Sequence, residues 1–242
     1  MERVSVAALL AALEGAPPSW LASDADGTLW SGDVGEDWLD ALATTSLGPQ
    51  LAHLPAVADA FALMPWVDAS TLVHAARDAY RRGALVELDY FRFVAATLGP
   101  RPDDLRRPVR EALEHACLSQ RNLPESVELL RGLVARGHRL AVLSASPTVV
   151  VQEALSLAGI EPDATIGFEP DTQSDTHPRI APYADGKRML IDSLRGAAPL
   201  LVAMGDSTFD AAMLAGARVP LAVRPKEGLL RTAVPGLRLL SE

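Results

Sequence analysis

The chain has 242 residues, 49% apolar and 22% charged, enough for one large globular unit or a core with a sizeable insertion, and too apolar for a wholly disordered protein. Basic residues number 22 against 31 acidic ones, net −9, with no basic run, which argues against a nucleic-acid or membrane partner. No apolar run approaches the roughly 20 residues that span a bilayer, and the single cysteine, Cys117, leaves no intramolecular disulfide and no cysteine metal cluster.

Arg3 followed by Val4 to Leu13 faintly resembles a short signal peptide. However, Val6, Leu9, Leu10 and Leu13 fall at helical spacing, so an amphipathic helix over about 3–14 and a cytoplasmic protein are the expectation. Trp20–Ser23 reads as a buried strand that stops at Asp24, with Asp-Gly turn chemistry at Asp26–Gly27. From 33 to 121 the pattern is helical, as in Trp38–Leu42, Leu72–Tyr80 and Tyr90–Leu98, with no convincing strand. A helix over Ser126–Arg136 ends at Gly137, and a strand over His138–Ser144 leads through Pro147 into a helix over Val149–Leu157. Ala164–Phe168 is a weak strand, and Pro170–Pro182 is a loop or small flap. The remainder reads as a helix over Gly186–Leu194, a strand over Pro199–Met204, a helix at about 208–215, a strand over Val219–Val223 and a short helix after Pro225. Strands alternating with helices imply an α/β fold with a doubly wound, Rossmann-like parallel sheet. The expected core is 1–32 plus 122–242, with an all-α insertion at 33–121.

Three strand ends carry chemistry. Asp24-Ala25-Asp26-Gly27-Thr28 follows the first strand, Ser144 ends the second, and Asp206 and Asp210 follow another in Gly-Asp-Ser-Thr-Phe-Asp. Ligands of open α/β sheets bind at the carboxyl ends of strands. Clustered carboxylates repel one another, and Mg2+, a hard cation that favours oxygen ligands and phosphate, relieves that repulsion. Lys187, at the start of a helix, offers a point charge for a phosphate oxygen. Each residue alone has a plainer reading: a turn at Asp24–Gly27, a strand-end hydroxyl at Ser144, a surface Lys187 and a helix cap at Asp206. Leu29 stands where an EF-hand loop needs glycine, which excludes that motif.

As a set, these motifs resemble the haloacid dehalogenase-like superfamily of phosphohydrolases. The helical insertion resembles the cap of its phosphoserine phosphatase-like branch. The resemblance implies a Mg2+-dependent phosphomonoesterase that hydrolyses a small phosphate ester through an aspartyl-phosphate. Asp24 would be the nucleophile and Asp26 the general acid and base. Asp24, Asp206 and the backbone carbonyl of Asp26 would hold the metal. Ser144 and Lys187 would hold the phosphoryl oxygens, and Asp210 would orient the metal shell or Lys187.

By the same resemblance, Asp33 stands where phosphoserine phosphatases carry the acid that binds the substrate amino group. Glu87-Leu88-Asp89-Tyr90-Phe91-Arg92 is similar to their cap segment, which casts Arg92 as the binder of a substrate carboxylate. Asp33 is one methylene shorter than the usual glutamate, and nearby Trp30 and Trp38 would suit a larger ammonium, as in phosphocholine or phosphoethanolamine. The alternative is that Asp33 caps a helix and Arg92 pairs with a surface acid. A dehalogenase has no need of Asp26, and a phosphonatase-like enzyme needs a cap lysine, whereas 27–186 contains none. A phosphotransferase or mutase differs only in the acceptor. A response-regulator-like receiver would lack the helical insertion, and a degenerate binding protein would not fill every catalytic position. A moving cap would hinge near Gly32–Gly35 and Gln120–Pro124.

Overall fold

The computed structural model describes residues 2–44, 51–63, 67–169 and 180–241. Its centre is a seven-stranded parallel sheet: β1 Glu2–Ser5, β2 Trp20–Ser23, β3 Arg139–Pro147, β4 Ala164–Phe168, β5 Leu200–Gly205, β6 Val219–Ala222 and β7 Arg238–Ser241. The order is β1-β7-β6-β5-β2-β3-β4. From β2 the chain winds outward through β3 and β4, then returns to the other side of β2 and continues through β5, β6 and β7. The reversal places a ligand-binding crevice at the carboxyl ends of β2, β3 and β5.

Side-chain alternation divides the core in two. Leu21, Leu140 and Val142 face one cluster, while Trp20, Ala22, Ala141 and Leu143 face the other. The first side is covered by α1 Val6–Ala12, α7 Pro124–Val134 and α8 Thr148–Ala158, and the second by α9 Asp185–Arg195 and α10 Ala211–Ala215. A last short helix, α11, spans Glu227–Arg231. Between β2 and α7 the described residues are helical: α2 Val34–Thr44, α3 Leu54–Ala60, α4 Ala69–Arg81, α5 Glu87–Ala96 and α6 Arg106–His115. Their interior, including the fully buried Trp38 and Phe93, is continuous with the first core cluster.

The two chain crossings into and out of this helical segment are tied together. Ser31 N–H donates to the Arg121 carbonyl at 2.9 Å, and Leu123 N–H to that of Leu29 at 2.9 Å. The Arg121 guanidinium also grips the Asp37 carboxylate on α2.

Several sequence expectations need correction. The helix expected over 3–14 begins only at Val6, because residues 2–5 pair with β7 and Ser5 caps the helix by accepting from Ala8 N–H at 3.3 Å. The strand β7 was not anticipated. Strand β3 runs past Ser144 to Pro147, which pairs with Phe168 after a register shift. The helix expected from Ser126 starts at Pro124, and Thr208–Asp210 is a 3-10 turn before α10. Most of the expected flap, 170–179, lies outside the described residues. No described helix is long and apolar enough to cross a membrane.

Candidate active site

Asp24 is the first residue past β2, held there by its N–H on the Met204 carbonyl of neighbouring β5 at 3.0 Å. The chain must then turn sharply. Gly27 does this at φ +79°, and a Cβ there would lie 2.2 Å from Asp206 Oδ2, so both conformation and space demand glycine. This close approach brings the loop after β2 against the loop after β5.

There, Asp210 organises the backbone. Its Oδ2 accepts from the N–H groups of Asp206 and Ser207, at 3.1 and 3.0 Å, and from Ser207 Oγ at 3.0 Å. Its Oδ1 accepts from Lys187 Nζ at 2.6 Å, and the same ammonium reaches Asp24 Oδ1 at 2.6 Å. Thr28 Oγ1 donates to the other Asp24 oxygen at 3.1 Å. Carboxylate oxygens of Asp24, Asp206 and Asp210, all buried, lie within 4.8 Å of one another.

The electrostatics follow from that crowding. Burial first, and then the charge of Asp210, push the Asp24 carboxyl well above the ordinary carboxylate range against the pull of Lys187. Burial alone would lower Lys187, but Asp210 and Asp24 raise it, so it stays an ammonium. Burial also raises Asp206, offset by Lys226, whose Nζ lies 2.9 Å from Asp206 Oδ2. Fully ionised, the three carboxylates would exceed the two ammonium groups by one negative charge.

The Asp26 carboxylate points to a different set of donors. Oδ1 accepts from Trp30 Nε1 at 2.8 Å and from Val34 N–H at 2.9 Å. Oδ2 accepts from Ser144 Oγ at 3.1 Å and Ser146 Oγ at 2.8 Å. Among the described residues, no donor reaches the Asp26 backbone carbonyl. Asp33 caps α2 by accepting from Glu36 N–H at 3.0 Å, yet it stays close enough to Asp26 to be raised by it. Burial first, then Asp26, push its carboxyl up to about 7.

The structure therefore gathers Asp24, Lys187, Asp206 and Asp210 into one network and Asp26, Ser144 and Asp33 into an adjoining one. Ser144 reaches Asp26 rather than Asp24. Arg92 joins neither network: its guanidinium is half-exposed and pairs with Asp89 at 3.0 Å. That is the geometry of the surface-pair alternative. Trp30 and Trp38 are fully buried and bonded to Asp26 and Thr97, so neither offers a face to a ligand.

Sequence reasoning missed Ser146 and Lys226. Ser146 stands two residues from Ser144 on one strand, where period-two alternation puts both on the same face. Lys226 and Lys187 are the chain's two lysines, and both converge on this acidic cluster.

A model of the haloacid dehalogenase-like hydrolase family matches residues 21–215. Among curated proteins, no sequence matches. Solved structures share the fold at low identity. A protein of unknown function from Bordetella pertussis Tohama I is 21% identical with TM-score 0.70, over 93% of this chain and 99% of that one. A HAD family hydrolase from Salmonella enterica serovar Typhi is 18% identical with TM-score 0.54, over 91% and 68%. A phosphoserine phosphatase, solved as an analogue of its phospho-aspartyl intermediate, is 17% identical with TM-score 0.53, over 92% and 93%. The motifs around Asp24, Ser144, Lys187 and Asp206 lie in the matched span, and the chain belongs to the haloacid dehalogenase-like hydrolase family.

Proposed function

We propose that the protein is a Mg2+-dependent phosphomonoesterase acting on a small phosphate ester through an aspartyl-phosphate. The observation that carries this is Asp24: a buried carboxylate at the central strand end, bonded to one ammonium and crowded by two further carboxylates. The donor set fits Mg2+, since every candidate ligand is a hard oxygen: the carboxylates of Asp24 and Asp206 and the backbone carbonyl of Asp26. Bound there, Mg2+ would offset the net negative charge and polarise a phosphoryl oxygen.

In the first half-reaction, an Asp24 oxygen bonds to phosphorus, the ester P–O bond breaks, and Asp26 gives its proton to the departing alkoxide. In the second, water bonds to phosphorus, Asp26 takes its proton, and Asp24 is released with inorganic phosphate. Lys187 and Ser144 hold phosphoryl oxygens through the transfer. Asp210 fixes Lys187 and the loop bearing Asp206.

All four bonds to Asp26 would have to rearrange for it to reach a leaving group. One of them comes from Val34, the first residue of α2. We therefore read 33–121 as a cap over a core of 1–32 and 122–242, whose position governs the proton donor.

The test is p-nitrophenyl phosphate hydrolysis with Mg2+ and with EDTA, in the native chain and in Asp24→Asn. Turnover should need Mg2+ and fall by more than 10⁴-fold in the variant, beyond the roughly 10²–10⁴ of an acid–base group. Multiple turnover above about 1% of native in protein shown free of deamidation would reject the nucleophile assignment.

A further inference from the structure

Ser146 has no part in the chemistry above, yet of the two β3 hydroxyls it is the closer to the proton donor. Its Oγ donates to Asp26 Oδ2 at 2.8 Å, against 3.1 Å from Ser144, and both serines are buried. The two hydroxyls are not equivalent. Ser144 Oγ accepts from Ser146 N–H at 3.0 Å, so its single proton is the one that points to Asp26. That proton cannot serve Asp26 and a phosphoryl oxygen at once. When Ser144 turns to the phosphoryl group, Asp26 Oδ2 loses one donor, and Ser146 is the hydroxyl that β3 still offers it.

The two donors to Oδ1 are held by their elements. Trp30 Nε1 belongs to a fully buried ring, and Val34 N–H to the backbone of α2. Neither follows a turning carboxyl unless its element moves, whereas a hydroxyl swings about its own χ1. The surroundings of Ser146 leave room for that swing. Asp33 Oδ1 lies 3.5 Å from the same Oγ, at the outer limit of a hydrogen bond, and marks a second direction open to it. Gly35, in the first turn of α2, borders this space: a Cβ there would come within 3.1 Å of both Ser146 Oγ and Asp33 Oδ1. Glycine inside a helix is about 0.5–1 kcal/mol worse than alanine, so this position serves the space beside it and not the helix.

We propose that Ser146 is a positioning residue for the proton donor: its hydroxyl stays with Asp26 while Ser144 passes to the phosphoryl group, and re-forms its bond as the carboxyl turns to the leaving oxygen. The inference rests on the phosphomonoesterase reading and deepens it. It competes with two plainer roles for Ser146, a static tie between the loop after β2 and β3, and direct contact with phosphate.

The experiment compares kcat/KM on phenyl phosphate and p-nitrophenyl phosphate. The two esters have nearly the same shape, but phenolate leaves poorly without a proton and p-nitrophenolate leaves well. Departure of the alcohol is the last step that kcat/KM includes, so the ratio of phenyl to p-nitrophenyl values reads the proton donor alone. Both values scale with active enzyme, so the ratio does not depend on how much of a variant folds. Ser146→Ala should lower this ratio at least about fivefold, a share of the 10²–10⁴ of an acid–base group, and Asp26→Asn by as much or more. Adding Ser146→Ala to Asp26→Asn should lower it less than about twofold further, because Ser146 acts through Asp26. Ser146→Thr, which keeps the hydroxyl, should stay within about twofold of native, as should inhibition of Ser146→Ala by inorganic phosphate. An unchanged ratio in Ser146→Ala would assign the static tie and overturn the proposal. So would losses that multiply in the double variant, or phosphate inhibition weakened about tenfold, which is the mark of direct contact. A native chain that hydrolyses only p-nitrophenyl phosphate would have no working proton donor and would overturn the proposal alone. Hydrolysis of neither ester would reject the phosphatase reading itself, and the role of Ser146 with it.

Discussion

Asp33→Asn separates two parts that one side chain plays. Asparagine caps helices as well as aspartate does, so the bond from Glu36 N–H should survive while the charge is lost. Burial and the charge of Asp26 raise the Asp33 carboxyl from 3.8 to about 7. Between those values the folded protein holds a proton that the unfolded chain has released. Stability is therefore fully present below about pH 4 and declines as pH rises towards 7, by about 1.4 kcal/mol per pH unit. The full interval corresponds to about 4 kcal/mol, and water around this partly exposed carboxylate should reduce it to about 2 kcal/mol. Urea unfolding in EDTA at pH 4, 6 and 8 measures it. The variant should match native stability within about 0.5 kcal/mol at pH 4 and exceed it by about 2 kcal/mol at pH 8. A gap that does not widen with pH would refute the placement of Asp33 beside Asp26.

Lys187→Met should cost about 3–5 kcal/mol in metal-free protein, because Asp24 and Asp210 would be left buried without their shared ammonium; a loss below about 1 kcal/mol by chemical denaturation would refute the pairing. Arg92→Ala should change stability by less than about 0.5 kcal/mol and leave kcat/KM unaltered on every ester, serine phosphate included, and a selective loss on that ester would return Arg92 to the substrate site. Tetrafluoroberyllate with Mg2+ should alter amide exchange at Gly32–Gly35 and Gln120–Pro124, and identical exchange with and without it would reject cap movement.

The site was legible wherever chemistry is written into contiguous residues. Asp24 to Thr28 and Gly205 to Asp210 each carry their own turn glycine, charge and order, and the parallel sheet brings them together. What stayed hidden depends on pairing between distant segments. Arg238–Ser241 is too short to stand out as a strand until residues 2–5 lie beside it. Lys226 became a site residue only because its N–H bonds the Asp206 carbonyl at 2.7 Å, which sets its side chain over the acidic cluster. For Arg92, segment similarity indicates a helix but not which way an exposed side chain turns upon it, and here it turns to Asp89. Likewise, aromatic composition around Asp33 suggested tryptophan faces for a ligand, whereas those indoles spend their N–H groups inside the core.

The pairing of β1 with β7 bears on how the chain is made. Glu2 lies opposite Arg238 and Ser5 opposite Ser241. At about 5–20 residues per second, a ribosome releases the first strand some 10–50 s before its partner. During that interval α1 can already dock, since its contacts are with α7, but the strand ahead of it has no ladder to join. Sheet assembly on this edge thus waits for Arg238–Ser241, with the longest loop closure among the described strand pairs. A nascent chain stalled before Arg238 should hold a central sheet while leaving residues 2–5 open to proteolysis.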